Sequence, residues 1–386
     1  MTQTLTRRPA GESGSGRIYH LISADSHVNE PADVFVPRVP AHLRDRAPRV
    51  ERFEKGDAWI FEHAPEPLPF GLNACAGQDT ALRQAWVRFE DIRAGGWDPK
   101  VRLQEIDRSG VDAEVMYPTP RISHGIFSTE DPELHLAIVR AYNDWLDEYC
   151  SYDLERFRAL PILPNRGHAD ALAEIERVGA RASTGGFVIG AFPGGTLSPQ
   201  PEDDVVFAAL AERDLPLHIH VSLNLAVPVP APAGGGIGLP AGTGSRRFAG
   251  AAEPLTEMIL TGVFDRVPGL KTVFAEVDCG WVPYFKEQAD DGFSRYRFKW
   301  NIKRLPSEYV RDHAWFTYVT DGYGIDNRYR IGVDKILWSS DYPHGNSNYP
   351  DVWPPTNASM SGVSDEDRHA ILAGNAMSLY HFGESK

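Results

Sequence analysis

Apolar runs typical of buried strands alternate with amphipathic stretches typical of helices from about residue 98 to the end of the chain. Asp98 is a candidate N-cap followed by proline at the first helical position, and Gly110 marks the end of this predicted helix. Asp131 opens a second helix in the same manner, with an apolar stripe along one side. Further helices are predicted at 171–178, 205–213, 255–264, 283–295 and 307–313, and Ser364 is the predicted cap of a last helix that runs through Tyr380.

Strands precede or follow these helices in regular order. The first apolar run lies at 19–23, and the others lie at 113–117, 157–163, 186–192, 217–221, 272–277, 316–320 and 336–340. Alternating strands and helices predict an α/β protein with a parallel sheet and right-handed crossovers. Polar residues follow the strand ends, and no glycine-rich phosphate loop follows the first strand. We therefore predict a (β/α)8 TIM barrel rather than an open doubly wound sheet.

Two long stretches interrupt this alternation. One follows strand 1 at about 36–96 and is rich in proline, arginine and aromatic residues, and the other follows strand 5 at 222–250 and is rich in proline and glycine. Loops of this length in a compact domain are usually functional or disordered, so we expect both to be lids over the mouth of the barrel. Residues 1–18 are predicted to be a flexible tail, and residues 19–386 one barrel domain.

Acidic and imidazole side chains stand at the ends of several predicted strands. They are Asp25, His27, Glu30, His218, His220, Glu276, Asp341 and His344. A buried carboxylate or imidazole is costly unless it is paired or coordinates a cation, and a parallel barrel brings its strand ends to one mouth. Residues two apart on a strand share a face, so Asp25 and His27 could bind one cation together. Mixed carboxylate and imidazole donors suit zinc, manganese or iron better than calcium or magnesium.

Each candidate also has a plainer interpretation. Glu30 could cap the turn that follows it, and Glu276 could be a base behind the ligands or the partner of an arginine. His344 could be a ligand, an acid or base, or a substrate contact. His218 could support a ligand through a hydrogen bond or be an ordinary core histidine. Buried polar residues satisfied by the backbone are the general alternative to a metal site.

Composition narrows the class of partner. The 386 residues include 39 Lys and Arg against 53 Asp and Glu, a formal net charge of −14, which disfavours nucleic acid or an anionic membrane surface as the main partner. A small organic substrate is the simpler expectation. Cys75, Cys150 and Cys279 lack a CxxC spacing, so neither a disulfide framework nor a zinc ribbon is indicated, and a cytoplasmic protein without a membrane helix is expected.

Five segments resemble the amidohydrolase-related superfamily, in particular the branch of aminocarboxymuconate-semialdehyde decarboxylase and related aromatic decarboxylases. They are residues 23–31 (SADSHVNEP), 215–220 (LPLHIH), 264–271 (FDRVPGLK), 337–344 (LWSSDYPH) and 374–376 (GNA). The resemblance covers essentially the whole predicted barrel. It implies a metal ion held by Asp25, His27, His220 and Asp341.

The chain departs from this resemblance at the end of strand 6. Relatives commonly carry a histidine there, whereas this chain has Glu276, which as a carboxylate is a good oxygen ligand for a second metal ion. With Glu30 and His344 added, the predicted ligand set is Asp25, His27, Glu30, His220, Glu276, Asp341 and His344. That carboxylate-rich set is similar to the nonheme diiron monooxygenases of platensimycin-type diterpenoid biosynthesis. This resemblance implies two iron ions, dioxygen as a co-substrate and a bulky substrate carried as a coenzyme A thioester.

The main expectation is therefore a nonheme diiron monooxygenase with Asp341, His344 and Glu276 as catalytic residues. The alternative is a hydrolase or nonoxidative decarboxylase with one zinc or manganese ion, in which Asp341 is the general base and His344 an acid. A noncatalytic binding barrel is the third class, and the intact set of carboxylates argues against it. A homodimer is only the default expectation for assembly.

Overall fold

The computed structural model describes residues 16–64, 66–220 and 247–384. Its strands are β1 (Ile22–His27), β2 (Arg49–Phe53), β3 (Gly56–Ile60), β4 (Leu68–Pro69), β5 (Ala113–Tyr117), β6 (Phe157–Ala159), β7 (Phe187–Ile189), β8 (Leu217–His220), β9 (Thr272–Ala275), β10 (Ala314–Tyr318) and β11 (Ile336–Trp338). Its helices are α1 (Pro99–Ser109), α2 (Pro120–Ser128), α3 (Pro132–Cys150), α4 (His168–Val178), α5 (Asp204–Glu212), α6 (Ala249–Leu260), α7 (Val263–Arg266), α8 (Val282–Tyr296), α9 (Pro306–His313), α10 (Gly322–Asp326), α11 (Arg328–Ile331), α12 (Trp353–Ser359), α13 (Asp365–His369) and α14 (Asn375–Tyr380). Short 3-10 turns occur mainly in the segment between β1 and α1.

Eight of these strands are parallel and alternate with helices. They form a three-stranded sheet in the order β1-β5-β6 and a five-stranded sheet in the order β11-β10-β9-β8-β7. Isolated parallel bridges join Ala159 to Thr184 and Ile162 to Val188, so β6 continues towards β7. Between β11 and β1, the backbone N–H of Asp341 donates to the carbonyl of Asp25 over 3.0 Å. The predicted α/β class with parallel strands is confirmed.

Local signals at helix ends predicted several boundaries well. The Asp98 side chain accepts hydrogen bonds from the backbone N–H groups of Lys100 and Val101, which satisfies two donors at the start of α1. Gly110 ends α1 with a φ of 73°, a left-handed conformation that glycine adopts without strain. The strand predicted at 113–117 is β5, so this first unit after the insertion is confirmed.

The insertion between β1 and α1 is more regular than we expected. It contains a small antiparallel sheet, β2-β3-β4, where the sequence predicted only an irregular connection. Trp59 and Phe61 from this segment are buried and pack against Phe35. The backbone carbonyl of Asn73 accepts a hydrogen bond from the Asn29 side chain, so the segment reaches the end of β1. Its role as a lid stays a prediction.

Other differences are local. Helix α2 was not predicted, and the helix expected at 255–264 is divided into α6 and α7 by Thr261 and Gly262. The last helix is interrupted by a π-helical segment at Ala370–Gly374. Most of the second predicted lid, at 222–250, and most of the predicted tail lie outside the described residues. In the parts of the chain that the structure describes, no helix combines the length and the apolarity needed to cross a lipid bilayer.

Candidate metal centre

Three predicted ligands converge at the ends of β1 and β8. Oδ1 of Asp25 lies 3.3 Å from Nε2 of His27 and 3.6 Å from Nε2 of His220. Asp25 and His27 are two residues apart on β1 and therefore point to the same face of the strand. All three side chains are completely buried. The structure thus brings together three residues that were expected to share a cation.

Asp341 and His344 complete the same cluster from the segment after β11. Oδ1 of Asp341 lies 3.5 Å from Nε2 of His27 and 2.8 Å from Nδ1 of His344. The His344 ring stacks on the His27 ring with 3.9 Å between centroids. His27, Asp341 and His344 form a second group of donors close enough to hold a metal ion, and this group shares His27 with the first.

The hydrogen bonds around His27 show why a cation fits here. Burial lowers the pKa of His27, so its ring is neutral and carries a single N–H. The Pro118 carbonyl lies 2.9 Å from Nδ1 and accepts a hydrogen bond from that N–H. Nε2 therefore presents a lone pair to the Asp25 carboxylate. Neither Nε2 nor either carboxylate oxygen of Asp25 has a hydrogen-bond partner among the described residues. Two buried acceptors facing each other are unfavourable unless a cation lies between them.

The pKa values of the two aspartates are shifted in opposite directions. Burial alone raises the pKa of Asp25, but the charge of His220 holds it well below its usual range. Burial raises the pKa of Asp341 to about 6, and the neighbouring Asp25 charge adds to this effect. The pKa of His344 is lowered to about 4, first of all by burial. Without a bound ion, Asp25 is therefore the most firmly ionised group of the cluster.

Glu276 lies beside the cluster and not within either ligand group. Its Oε2 is 3.7 Å from Nε2 of His220, and its Oε1 is 3.3 Å from a guanidinium nitrogen of Arg247. Burial raises the pKa of Glu276, and the Asp341 charge raises it further. The structure thus shows the contact with an arginine that was one of the plainer interpretations. Arg247 itself was missed, because nothing in the irregular stretch around it indicates a role at the mouth.

Glu30 and His218 lie near the cluster but belong to neither ligand group. Oε1 of Glu30 accepts a hydrogen bond of 2.9 Å from the backbone N–H of Thr119, and its carboxyl borders a small recess lined by aromatic and aliphatic side chains. Neither ligand group includes Glu30. Nδ1 of His218 is 2.6 Å from the hydroxyl of Tyr117, and its ring stacks on Tyr380. His218 therefore supports the layer beneath His220.

Three of the five non-glycine residues with positive φ in the described part of the chain lie at this mouth. Glu276, Asp278 and Asp341 have φ values of 58°, 56° and 52°, in the left-handed region that residues with a Cβ rarely adopt. Such conformations cost of order 1 kcal/mol each and cluster at functional sites. Two of the three belong to the predicted catalytic set, so the strain coincides with the candidate chemistry.

Two sequence comparisons identify similar proteins. The sequence model of the family described as Amidohydrolase matches residues 25–382. The 2-amino-3-carboxymuconate-6-semialdehyde decarboxylase of Dictyostelium discoideum is 27% identical over 303 residues, which are 77% of this chain and 80% of that protein.

Solved structures show the fold. An amidohydrolase of Mycobacterium avium subsp. paratuberculosis aligns with a TM-score of 0.73 at 24% identity, over 94% of this chain and 98% of that one. A dihydroxybenzoic acid decarboxylase of Polaromonas, solved with manganese and the inhibitor 2-nitroresorcinol, aligns with a TM-score of 0.63 at 19% identity, over 95% of this chain and 98% of that one. These likenesses agree with the predicted (β/α)8 barrel.

Proposed function

The chain belongs to the amidohydrolase family, and from this membership we propose that it is a metal-dependent carboxy-lyase, which removes CO2 from a small organic acid without an oxidant. The cluster of Asp25, His27, His220 and Asp341 carries the proposal, because its opposed acceptors call for a cation. The decarboxylase relatives support this chemistry better than they support the diiron monooxygenase.

One manganese or zinc ion suits the donor set of two carboxylates and two imidazoles. Asp25, His27, His220 and Asp341 would hold it. When bound, such an ion supplies Lewis-acid chemistry, which polarises substrate oxygen atoms. The hydrogen bond between Nδ1 of His27 and the Pro118 carbonyl fixes the ring so that Nε2 faces the cluster.

The reaction needs a proton at the carbon that loses CO2. The bond between this carbon and the carboxylate breaks, the electron pair stays on the carbon, and a proton from the protein forms the new C–H bond. We assign that proton to the pair of His344 and Asp341, whose Nδ1 and Oδ1 atoms are 2.8 Å apart and can exchange it. Water then returns a proton to the pair.

The test is a search for CO2 release that does not need oxygen. Protein loaded with Mn²⁺ or Zn²⁺ is incubated without air with a panel of hydroxylated aromatic and unsaturated carboxylic acids, and CO2 is measured. We expect release by the parent and a loss of at least 100-fold in the His344→Gln variant. His42→Gln is the matched control, because His42 also contacts a carboxylate, that of Glu133, but is exposed. Absence of CO2 release together with oxygen-dependent product formation would overturn the proposal.

An oxygenase with two iron ions is the second candidate. It is favoured by two further donors beside the cluster, His344 and Glu276, the second of which stands where relatives commonly carry a histidine. Dioxygen and a coenzyme A thioester belong to this candidate alone. Metal analysis separates the two: a carboxy-lyase should hold about one ion per chain, and the oxygenase about two irons. Glu276→His should preserve CO2 release in the first case and abolish product formation in the second.

A further inference from the structure

Arg102 is a completely buried arginine on α1 that lies outside the candidate ligand set. Its Nε donates to Oε2 of Glu114 over 2.7 Å, and one terminal nitrogen donates to Oε1 of Glu114 over 3.0 Å. This is a bidentate ion pair, and both side chains are almost completely shielded from solvent. A buried ion pair is by itself weak evidence for stability, because desolvation offsets most of the attraction. Its other contacts are therefore more informative.

The remaining N–H groups of Arg102 bind the main chain on both sides of the candidate metal centre. One terminal nitrogen donates to the carbonyl of His27 over 3.0 Å, and the other donates to the carbonyl of Tyr342 over 3.3 Å. The carbonyl of Tyr342 also accepts a 2.7 Å hydrogen bond from the N–H of His27. One planar guanidinium thus contacts the main chain at a candidate ligand, His27, and at the residue after another, Asp341.

Glu114 extends this hydrogen-bond network to serine side chains next to the candidate ligands. Its Oε1 accepts a 2.8 Å hydrogen bond from the hydroxyl of Ser26. The Ser26 hydroxyl lies 2.8 Å from that of Ser23 and 3.0 Å from that of Ser340. Ser340 also donates its backbone N–H to the Ser23 hydroxyl over 2.8 Å. Ser26 lies between Asp25 and His27, and Ser340 precedes Asp341, so this buried serine cluster ties the residues next to three candidate ligands.

This network joins β1 to the segment after β11, two parts of the barrel that no regular strand ladder connects. β1 and β11 belong to different sheets, and the ladder between β1 and β5 has an irregularity between Ser23 and Ser26. Two backbone hydrogen bonds, from the N–H of Asp341 to the carbonyl of Asp25 and from the N–H of His27 to the carbonyl of Tyr342, join these segments without a regular ladder. The contacts of Arg102 and Glu114 add to them in setting the separation of His27 and Asp341. We propose that Arg102 and Glu114 are a positioning pair, which sets the separation of Asp25, His27 and Asp341 so that the three can share one cation. This inference rests on the proposed metal centre.

The test compares two buried arginines. Arg102→Lys keeps the charge but loses the planar fork, so one ammonium cannot bind Glu114 and both carbonyls. Arg158→Lys is the matched control, since Arg158 is also buried and binds the backbone carbonyls of Tyr380 and His381, neither of which is a candidate ligand. Mn²⁺ affinity is measured by competition with a fluorescent chelator, the electron paramagnetic resonance spectrum reports the symmetry of bound Mn²⁺, and thermal unfolding reports stability.

We expect Arg102→Lys to bind Mn²⁺ about tenfold more weakly with an altered spectrum, whereas Arg158→Lys keeps affinity within about twofold of the parent even if it unfolds earlier. A folded Arg102→Lys protein with the parent's affinity and spectrum would overturn the inference, and so would an equal loss of affinity in Arg158→Lys. If Arg102→Lys does not fold, Ser26→Ala decides: a severalfold loss of affinity supports the positioning role, and an unchanged affinity refutes it. No substrate is used, so failure to find CO2 release leaves this result intact. A parent that binds neither Mn²⁺ nor Zn²⁺ defeats both proposals.

Discussion

Replacing Glu30 with glutamine should stabilise the protein above neutral pH, and the gain should disappear in acid. The Glu30 side chain is only 2% exposed and borders a recess lined by Trp59, Phe70 and Phe89. Burial in these surroundings raises the pKa of its carboxyl to about 7, although a hydrogen bond from Thr119 opposes the shift. If Glu30 instead bound a metal ion, it would be ionised, and the glutamine would weaken metal binding.

The sign follows from comparing the folded and unfolded chains. The folded protein holds the Glu30 proton more tightly, so the contribution of this group is complete below the ordinary pKa of 4.5 and is lost as pH rises through about 7. The gap between these values corresponds to roughly 3 kcal/mol at about 1.4 kcal/mol per pH unit. Glutamine has no proton to lose. The variant should therefore gain roughly 3 kcal/mol relative to the parent between pH 4.5 and pH 8.

Urea unfolding of parent and variant across this range, with a chelator present, measures the difference directly. Glu130→Gln is the control, because Glu130 is an exposed glutamate, and its difference from the parent should stay nearly constant with pH. A difference between Glu30→Gln and the parent that does not change with pH would refute the reasoning. A large loss of Mn²⁺ affinity in Glu30→Gln would restore Glu30 to the ligand set.

Two further substitutions test the site and the fold. Asp25→Asn should weaken Mn²⁺ binding at least 100-fold in chelator competition, because it removes the charge of the most firmly ionised carboxylate, and near-parental affinity would place the ion elsewhere. Asp98→Ala should lower the free energy of unfolding by about 1 kcal/mol, because two N–H groups of α1 lose their acceptor. Asp98→Ser should recover most of this loss. An alanine variant as stable as the parent would contradict the role of Asp98 as a cap.

Much of the fold could be predicted because its signals are local. The caps of α1 and the apolar run of β5 need only neighbouring residues to be recognised, and Asp25 and His27 lie on one face because a strand repeats every two residues. Glu30 shows the limit of this argument. Beyond the end of a strand the spacing no longer fixes direction, and here the N–H of Thr119 holds the Glu30 side chain away from the cluster.

Long-range contacts account for the rest. The strands of the insertion are short and carry charged residues, so their pairing is visible only once the sheet is formed. The positioning pair joins Arg102 to Glu114 across a helix and a strand, and its further partners lie at opposite ends of the chain. Arginine and glutamate at this spacing would be expected at a surface, because charged residues are rarely buried.

The adjacency of β1 and β11 also has a bearing on biosynthesis. The serine hydroxyls that join these two parts of the chain belong to residues 317 positions apart. Asp341, which faces His27, belongs to the part that is synthesised last. A nascent chain folds from its N-terminal side, so Asp25 and His27 leave the ribosome long before the carboxylate that faces them. Any cation held by all these side chains can be captured only when translation is nearly finished. Metal supply thus acts on an almost completed polypeptide.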